Sequence, residues 1–183
     1  MQIFQNIYPL EASTLKAIEA RAERICLKKD KLLIRAGSIC DRLFFLESGS
    51  IKSFHSENGK HYTSWVYFEG EMLTSWHSYL GRMPSMECFK ANEEASLLSL
   101  HREDVDFLKH QHIDFLYLLN SYYEFSIGFY DYFAKKSPNL STLENYRFIL
   151  ENYPQLVQRA STSDIASIIG VSRETISRIR AQV

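Results

Sequence analysis

The chain has 183 residues, 45% of them apolar and 23% charged, with a formal net charge of −1. That length suits one large domain or a medium one plus a small one, and seven Gly with four Pro exclude collagen-like and low-complexity architectures. The near-neutral balance argues against coating nucleic acid or membrane by bulk charge, while leaving room for a local DNA-reading surface.

The opening MQIFQNIYPLEA has no basic stretch followed by an apolar one, so no leader is expected. Residues 10–23 are rich in helix formers and place Leu15, Ile18 and Ala22 on one helical face. From 24 to 101 the pattern predicts short strands at Arg24–Lys28, Leu32–Arg35, Leu43–Leu46, Ser50–His55, Tyr62–Phe68, Met86–Ala91 and Ser96–Leu100. Asn58-Gly59 is the strongest hairpin signal, because a type I′ turn needs positive φ at both central residues. Seven short strands with regular turns predict a barrel or jelly roll.

After His101 the pattern turns helical. Residues 113–134 are the most membrane-like run, but Asp114, Asn120, Glu124 and Asp131 interrupt it, whereas a span needs about 20 mostly apolar residues. A cytoplasmic location without a membrane partner is expected. Leu116, Leu119, Tyr123, Ser126, Tyr130 and Phe133 alternate spacings of three and four, a coiled-coil seam. Phe115, Tyr122, Phe125 and Phe129 are large and lie off that seam, so two faces need cover. The expected arrangement packs one face on the chain's own barrel and the other on an equivalent helix in a parallel homodimer. Lys135-Lys136-Ser137-Pro138-Asn139 marks a boundary, since Pro138 disfavours helix at Ser137. Charge changes there: residues 1–134 hold 14 Lys/Arg against 18 Asp/Glu, and residues 135–183 hold 7 against 4.

The basic end carries the most informative segment, TSDIASIIGVSRETISRIRA at 162–181. Ile165 and Ile169 share one helix face, and Ile176 and Ile179 share another. Ala166 is small enough for close helix crossing, Gly170 can end a helix with positive φ, and Ser172 suits an N-cap. This is the helix-turn-helix pattern. The exposed face of its second helix reads Arg173, Glu174, Ser177 and Arg178. An Arg can bond guanine O6 and N7 together, and a Glu can accept from cytosine N4. Thr162 and Ser163 open the first helix, where N–H groups and hydroxyls suit a phosphate. The competing reading is an αα-corner in a binding module that reads no DNA.

An N-terminal helix, a β-barrel, a long helix and a helix-turn-helix reading SRETISRIR together resemble the CRP/FNR transcription regulators. AGSICDRLFFLESGSIKSFHSENGK resembles the family's early barrel strands. ENYPQLVQRASTSDIASIIGVSRETISRIR resembles the branch whose sensors have drifted from cyclic-nucleotide binding. The resemblance implies an α+β fold: an N-terminal jelly-roll sensor over residues 1–111, a dimerisation helix over 112–136 and a helix-turn-helix domain over 137–183. It implies a homodimer on palindromic double-stranded DNA whose half-sites share a TGA core, with RNA polymerase as a further partner. Arg173, Glu174 and Arg178 match the CRP-type readers, whereas Glu174, Ser177 and Arg178 match the FNR type, so both half-site preferences stay open. The family's β-wing has no evident residues, because Val183 follows Arg180 by three positions.

The family's effector segment corresponds to GEMLTSWHSYLGRMPSMECFKA at 70–91. Gly70 and Glu71 match its start. Thr74 and Ser75 stand in place of the glycine and the ribose-binding Glu, and Ser85 followed by Met86 stands in place of the phosphate-binding Arg. Arg82 lies three residues early and would substitute only through a shifted loop. The resemblance therefore implies poor cyclic-nucleotide binding and leaves open an unidentified small effector or a packed barrel. Cys26, Cys40 and Cys88 are too scattered for a disulfide framework or an iron–sulfur site, and no metal or other cofactor is expected. None of the six His residues, His77 in the effector segment included, is placed as a haem ligand. No G-x-S-x-G, P-loop, H-E-x-x-H or paired carboxylate motif occurs, so no enzyme is expected.

Overall fold

The computed structural model describes Phe4 and residues 7–182, without the side chain of Lys136; the expectations resting on the first residues and on Val183 fall outside them. Helix α1 (Ala12–Glu19) leads into β1 (Glu23–Leu27), β2 (Leu32–Ile34), β3 (Arg42–Ser48), β4 (Ile51–Glu57), β5 (Lys60–Tyr67) and β6 (Met72–Leu73). Helix α2 (Trp76–Gly81), β7 (Cys88–Ala91) and β8 (Ala95–His101) complete the barrel. Helices α3 (Arg102–Gln111), α4 (Ile113–Lys136), α5 (Thr142–Asn152), α6 (Pro154–Arg159), α7 (Thr162–Ile169) and α8 (Arg173–Arg180) follow. Two antiparallel four-stranded sheets, ordered β1-β8-β3-β6 and β2-β7-β4-β5, face each other as a jelly roll.

Period-two alternation divides the core. On β3, Phe44 and Leu46 point into the space between the sheets, while Leu43 and Phe45 point the other way, beneath α1, α3 and α4. On β8, Leu97 joins the inter-sheet core, and Leu98 and Leu100 join the helical side. The hairpin between β4 and β5 turns at Asn58 (φ 50°) and Gly59 (φ 77°), the type I′ signature.

Four local expectations are corrected. The first helix is shorter than 10–23, because β1 takes residues 23–27 into a ladder with β8 from Glu23↔Ser99 to Leu27↔Ala95. The strand expected at Met86–Ala91 begins at Cys88. Backbone bonds from Gly37 N–H to Ser85 O and from Ser85 N–H to Ser38 O, both 2.8 Å, hold the preceding residues in a loop. The effector segment contains an unforeseen strand and helix, β6 and α2. Pro138 does not push Ser137 out of helical geometry: Ser137 keeps φ −53° and ψ −42° and enters a 3₁₀ turn through Asn139. The loosened helix end is satisfied by Asn139 Nδ2 donating to Lys135 O at 2.8 Å and Asn145 Nδ2 donating to Ser137 O at 2.9 Å.

Beyond that turn, α5 starts with a capping box between Ser141 and Glu144, and α6 starts with Pro154 in its first turn. Leu156, Ile165, Ile176 and Ile179 close a small core that is continuous with Val66 and Phe68 at the end of β5. The C-terminal helices therefore sit directly on the barrel.

Candidate functional site

The turn between α7 and α8 follows local chemistry. Gly170 ends α7 at φ 79°, and Val171 N–H bonds Ala166 O at 2.9 Å. Ser172 caps α8 by accepting from Thr175 N–H at 3.2 Å. Ile176 and Ile179 are buried, which turns Arg173, Glu174, Ser177 and Arg178 outward together. Among the described residues, Arg178 has one weak internal hydrogen bond, Nη2 to Thr175 Oγ1 at 3.4 Å. The Glu174 carboxyl is held below its usual range, chiefly by its own backbone N–H at the helix start and then by the Ser172 hydroxyl, so it is an acceptor at neutral pH.

Arg180 is bound differently from its neighbours. Its guanidinium reaches Thr162 Oγ1 (3.1 Å), Tyr146 Oη (3.3 Å) and Val157 O (3.3 Å), tying α8 to α7, α5 and α6. Thr162 thus accepts an internal bond, while Ser163 beside it is exposed.

The helix-turn-helix is fastened to the barrel by polar groups absent from the sequence expectations. Asp164 on α7 is buried; its Oδ1 accepts from Lys52 Nζ on β4 (3.0 Å) and Thr63 Oγ1 on β5 (2.7 Å), and its Oδ2 accepts from Ser161 Oγ (2.6 Å). Burial raises its pKa, but the three donors and the Lys52 charge outweigh that and hold the carboxyl below its usual range. Ser167 Oγ donates to Thr63 O at 3.1 Å. On α6, Arg159 pairs bidentately with Glu69 at 2.6 and 2.9 Å and also reaches Glu93 at 2.5 Å.

The second candidate region is a cavity of about 750 Å³ between the β4–β5 hairpin and the C-terminal half of α4. Of the six expected effector residues, Ser75 and Met86 line it, whereas Gly70, Glu71, Arg82 and Ser85 do not. Each departure has a local cause. Gly70 makes the β5–β6 turn at φ 93°. The Glu71 carboxylate turns back to accept from Phe68 N–H at 2.5 Å, and burial pushes its pKa up to about 7. Arg82 is exposed and ends α2 in the left-handed region at φ 56°. The Ser85 hydroxyl is buried, donates to Glu87 O at 2.7 Å and lies 2.9 Å from Ser75 Oγ. The residues that do shape the cavity include Trp65 and Tyr67 from β5, Glu87 before β7, and Phe129, Tyr130 and Phe133 from α4. Trp65 and Tyr67 are visible as same-face neighbours on a strand; no local signal marks Glu87.

The expected dimer residues on α4 divide. Leu119 is fully buried against the chain's own barrel, and Leu116, Tyr123, Ser126 and Phe133 are partly buried. Tyr123 packs edge-on against Trp76 of α2 at 5.6 Å, so the unforeseen helix takes part of the seam. Tyr130 remains 51% exposed, beside Phe125 at 63% and Ile127 at 68%.

Residues 24–112 match the family model of the cyclic nucleotide-binding domain. Over the whole chain, the c-di-GMP-responsive global regulator CLP of Xanthomonas campestris is similar, with TM-score 0.70 at 18% identity, covering 94% of this chain and 91% of that one. A regulator ascribed to the crp/fnr family from Eubacterium rectale gives 0.68 at 17% identity, over 97% and 87%. This is the CRP/FNR fold. The Thermus thermophilus catabolite activator protein shares it, with TM-score 0.60 at 19% identity, over 94% and 83% of the two chains. None of the curated proteins matches the chain in sequence. Among the described residues, no helix is long and apolar enough to cross a membrane, and no group of three or more His, Cys, Asp or Glu could hold a metal ion.

Proposed function

We propose that this CRP/FNR-type chain is a sequence-specific DNA-binding transcription regulator that acts as a homodimer on a palindromic site. Residues 1–111 serve as the sensor, 112–136 as the dimerisation helix and 137–183 as the DNA reader. The observation that carries the reading is the outward face of α8, where Arg173, Glu174, Ser177 and Arg178 lie together while the apolar side of the helix is buried. Ser163, at the start of α7, supplies a phosphate contact. RNA polymerase is the further partner that the fold suggests, in the cytoplasm.

Selection of the purified protein on random-sequence duplex, followed by gel-shift at fixed salt, tests this. The expected result is a two-fold symmetric consensus with half-sites about 34 Å apart. Binding that never exceeds the non-specific level, or no binding, would instead favour a protein-interaction module.

Control by a small effector is part of the proposal, and cyclic nucleotides are not the effector. A cyclic phosphate needs a cationic partner, and the Ser75 and Ser85 hydroxyls are turned towards each other. Losing a charge-assisted bond to a phosphate forfeits on the order of 1.5–3 kcal/mol. Calorimetry with cyclic AMP and cyclic GMP should therefore show no micromolar binding.

A further inference from the structure

The cavity beneath α4 has the wrong charge for an anion. It continues into a second hollow of about 550 Å³, and Tyr67, His77, Glu87 and Tyr130 line both. Among the described residues, neither hollow is lined by a Lys or an Arg. The larger one has two carboxylates, Glu57 and Glu87, on its wall. The rest of its wall combines five aromatic rings with four serines and two histidines, His55 and His77. Trp65 meets Phe129 edge-on at 5.0 Å and Phe133 at 6.2 Å, and Tyr130 stands against Phe129 at 5.6 Å.

Aromatic faces carry negative quadrupole density and attract a cation placed over them, more strongly once water is excluded. Glu87 is partly buried, and the neighbouring Ser53 and Ser64 hydroxyls favour its charged form. We propose that the cavity binds an organic cation, a quaternary or aralkyl-ammonium compound, with the ammonium against the rings of Trp65, Phe129 and Tyr130 and Glu87 as counter-ion. The volume falls within the range of roughly 300–1,000 Å³ common for small-molecule sites. Burial pushes the Glu87 carboxyl up from its usual range; a cation beside it offsets that desolvation cost. The assignment names the ligand class of the effector cavity and rests on reading that cavity as a binding site.

The chain's two tryptophans, Trp65 and Trp76, line the larger and the adjoining hollow respectively, so intrinsic fluorescence reports occupancy. The full-length protein is titrated at fixed ionic strength with benzyltrimethylammonium, with its uncharged isostere neopentylbenzene and with benzylphosphonate. The cation should bind at least about ten-fold tighter than the isostere, and the phosphonate should not bind. Glu87→Gln should weaken the cation by about ten-fold and leave the isostere within about two-fold. The wild-type comparison of cation and isostere needs no variant, so it decides the matter even if Glu87→Gln folds poorly. Equal affinity for cation and isostere, preference for the phosphonate, or no binding of any probe would overturn the assignment. A gel-shift run in parallel keeps the two proposals apart: cation binding by a protein that fails to bind DNA supports the cavity assignment and refutes only the DNA-binding role.

Discussion

Asp164, buried, and Glu71, partly buried, have opposite consequences for pH. Asp164 has a depressed pKa in the fold, so its contribution is present at neutral pH and is lost as pH falls through the folded value, beneath the usual carboxylate range. Asp164→Ala would leave Lys52 facing a mostly closed interface without its partner. A loss of about 3 kcal/mol is expected in urea unfolding at pH 7. Glu71 has a raised pKa, about 7, so the folded state holds its proton more tightly than the unfolded chain does. That stabilisation is complete below the unfolded value near 4.5 and is lost as pH rises through about 7. Relative to Glu71→Gln, the wild type should lose on the order of 2–3 kcal/mol across that window; parallel unfolding curves of the two proteins would expose the error. Legibility at this scale depended on how far away the partner lies. Gly170, Ser172 and Asn58-Gly59 were readable because their chemistry is completed within a few residues. Asp164 was not, because its partners Lys52 and Thr63 lie 112 and 101 positions away.

At the scale of elements, α4 shows both what a periodicity contains and what it omits. Two apolar stripes call for cover on two sides, but spacing alone does not say which stripe meets the barrel. That choice is made by α2, which brings Trp76 against Tyr122 and Tyr123 from a segment read as loop. The outward stripe then includes Phe125 and Ile127, while Leu119 faces inward. The strands were more legible because alternation on a two-sided sheet fixes the facing of each residue once one is known. Two substitutions separate the roles on α4. Ile127→Asp places a charge on the outward stripe and should give a monomeric mass by light scattering at micromolar concentration, with thermal stability of the chain's own core little changed. Leu119→Ala removes a fully buried side chain and should cost about 2–5 kcal/mol of unfolding free energy. A wild-type protein that is itself monomeric under those conditions would remove the basis of the dimer.

The whole molecule sets α7 and α8 on a firm base. Asp164, Ser167 and Arg159 fasten α6 and α7 to the barrel, and Arg180 fastens α8 to α5, α6 and α7. Arg178 lies two residues before Arg180 and is nearly free of the protein. Two arginines on one helix turn therefore have different duties, which single substitutions can separate. Arg178→Ala should leave unfolding within about 0.5 kcal/mol of wild type, as expected for an exposed side chain. It should weaken the specific site by about 1–3 kcal/mol per half-site and relax the preference at one base pair. Arg180→Ala should instead destabilise the C-terminal domain and weaken all DNA sequences alike, because it removes bonds that orient α8 rather than a base contact. Specific and non-specific affinities at two salt concentrations distinguish the cases. A phosphate-binding Arg178 would lower the salt slope by about one and weaken every sequence equally. If base preference survives Arg178→Ala unchanged, that residue is no reader, and the base-reading role proposed for α8 fails with it.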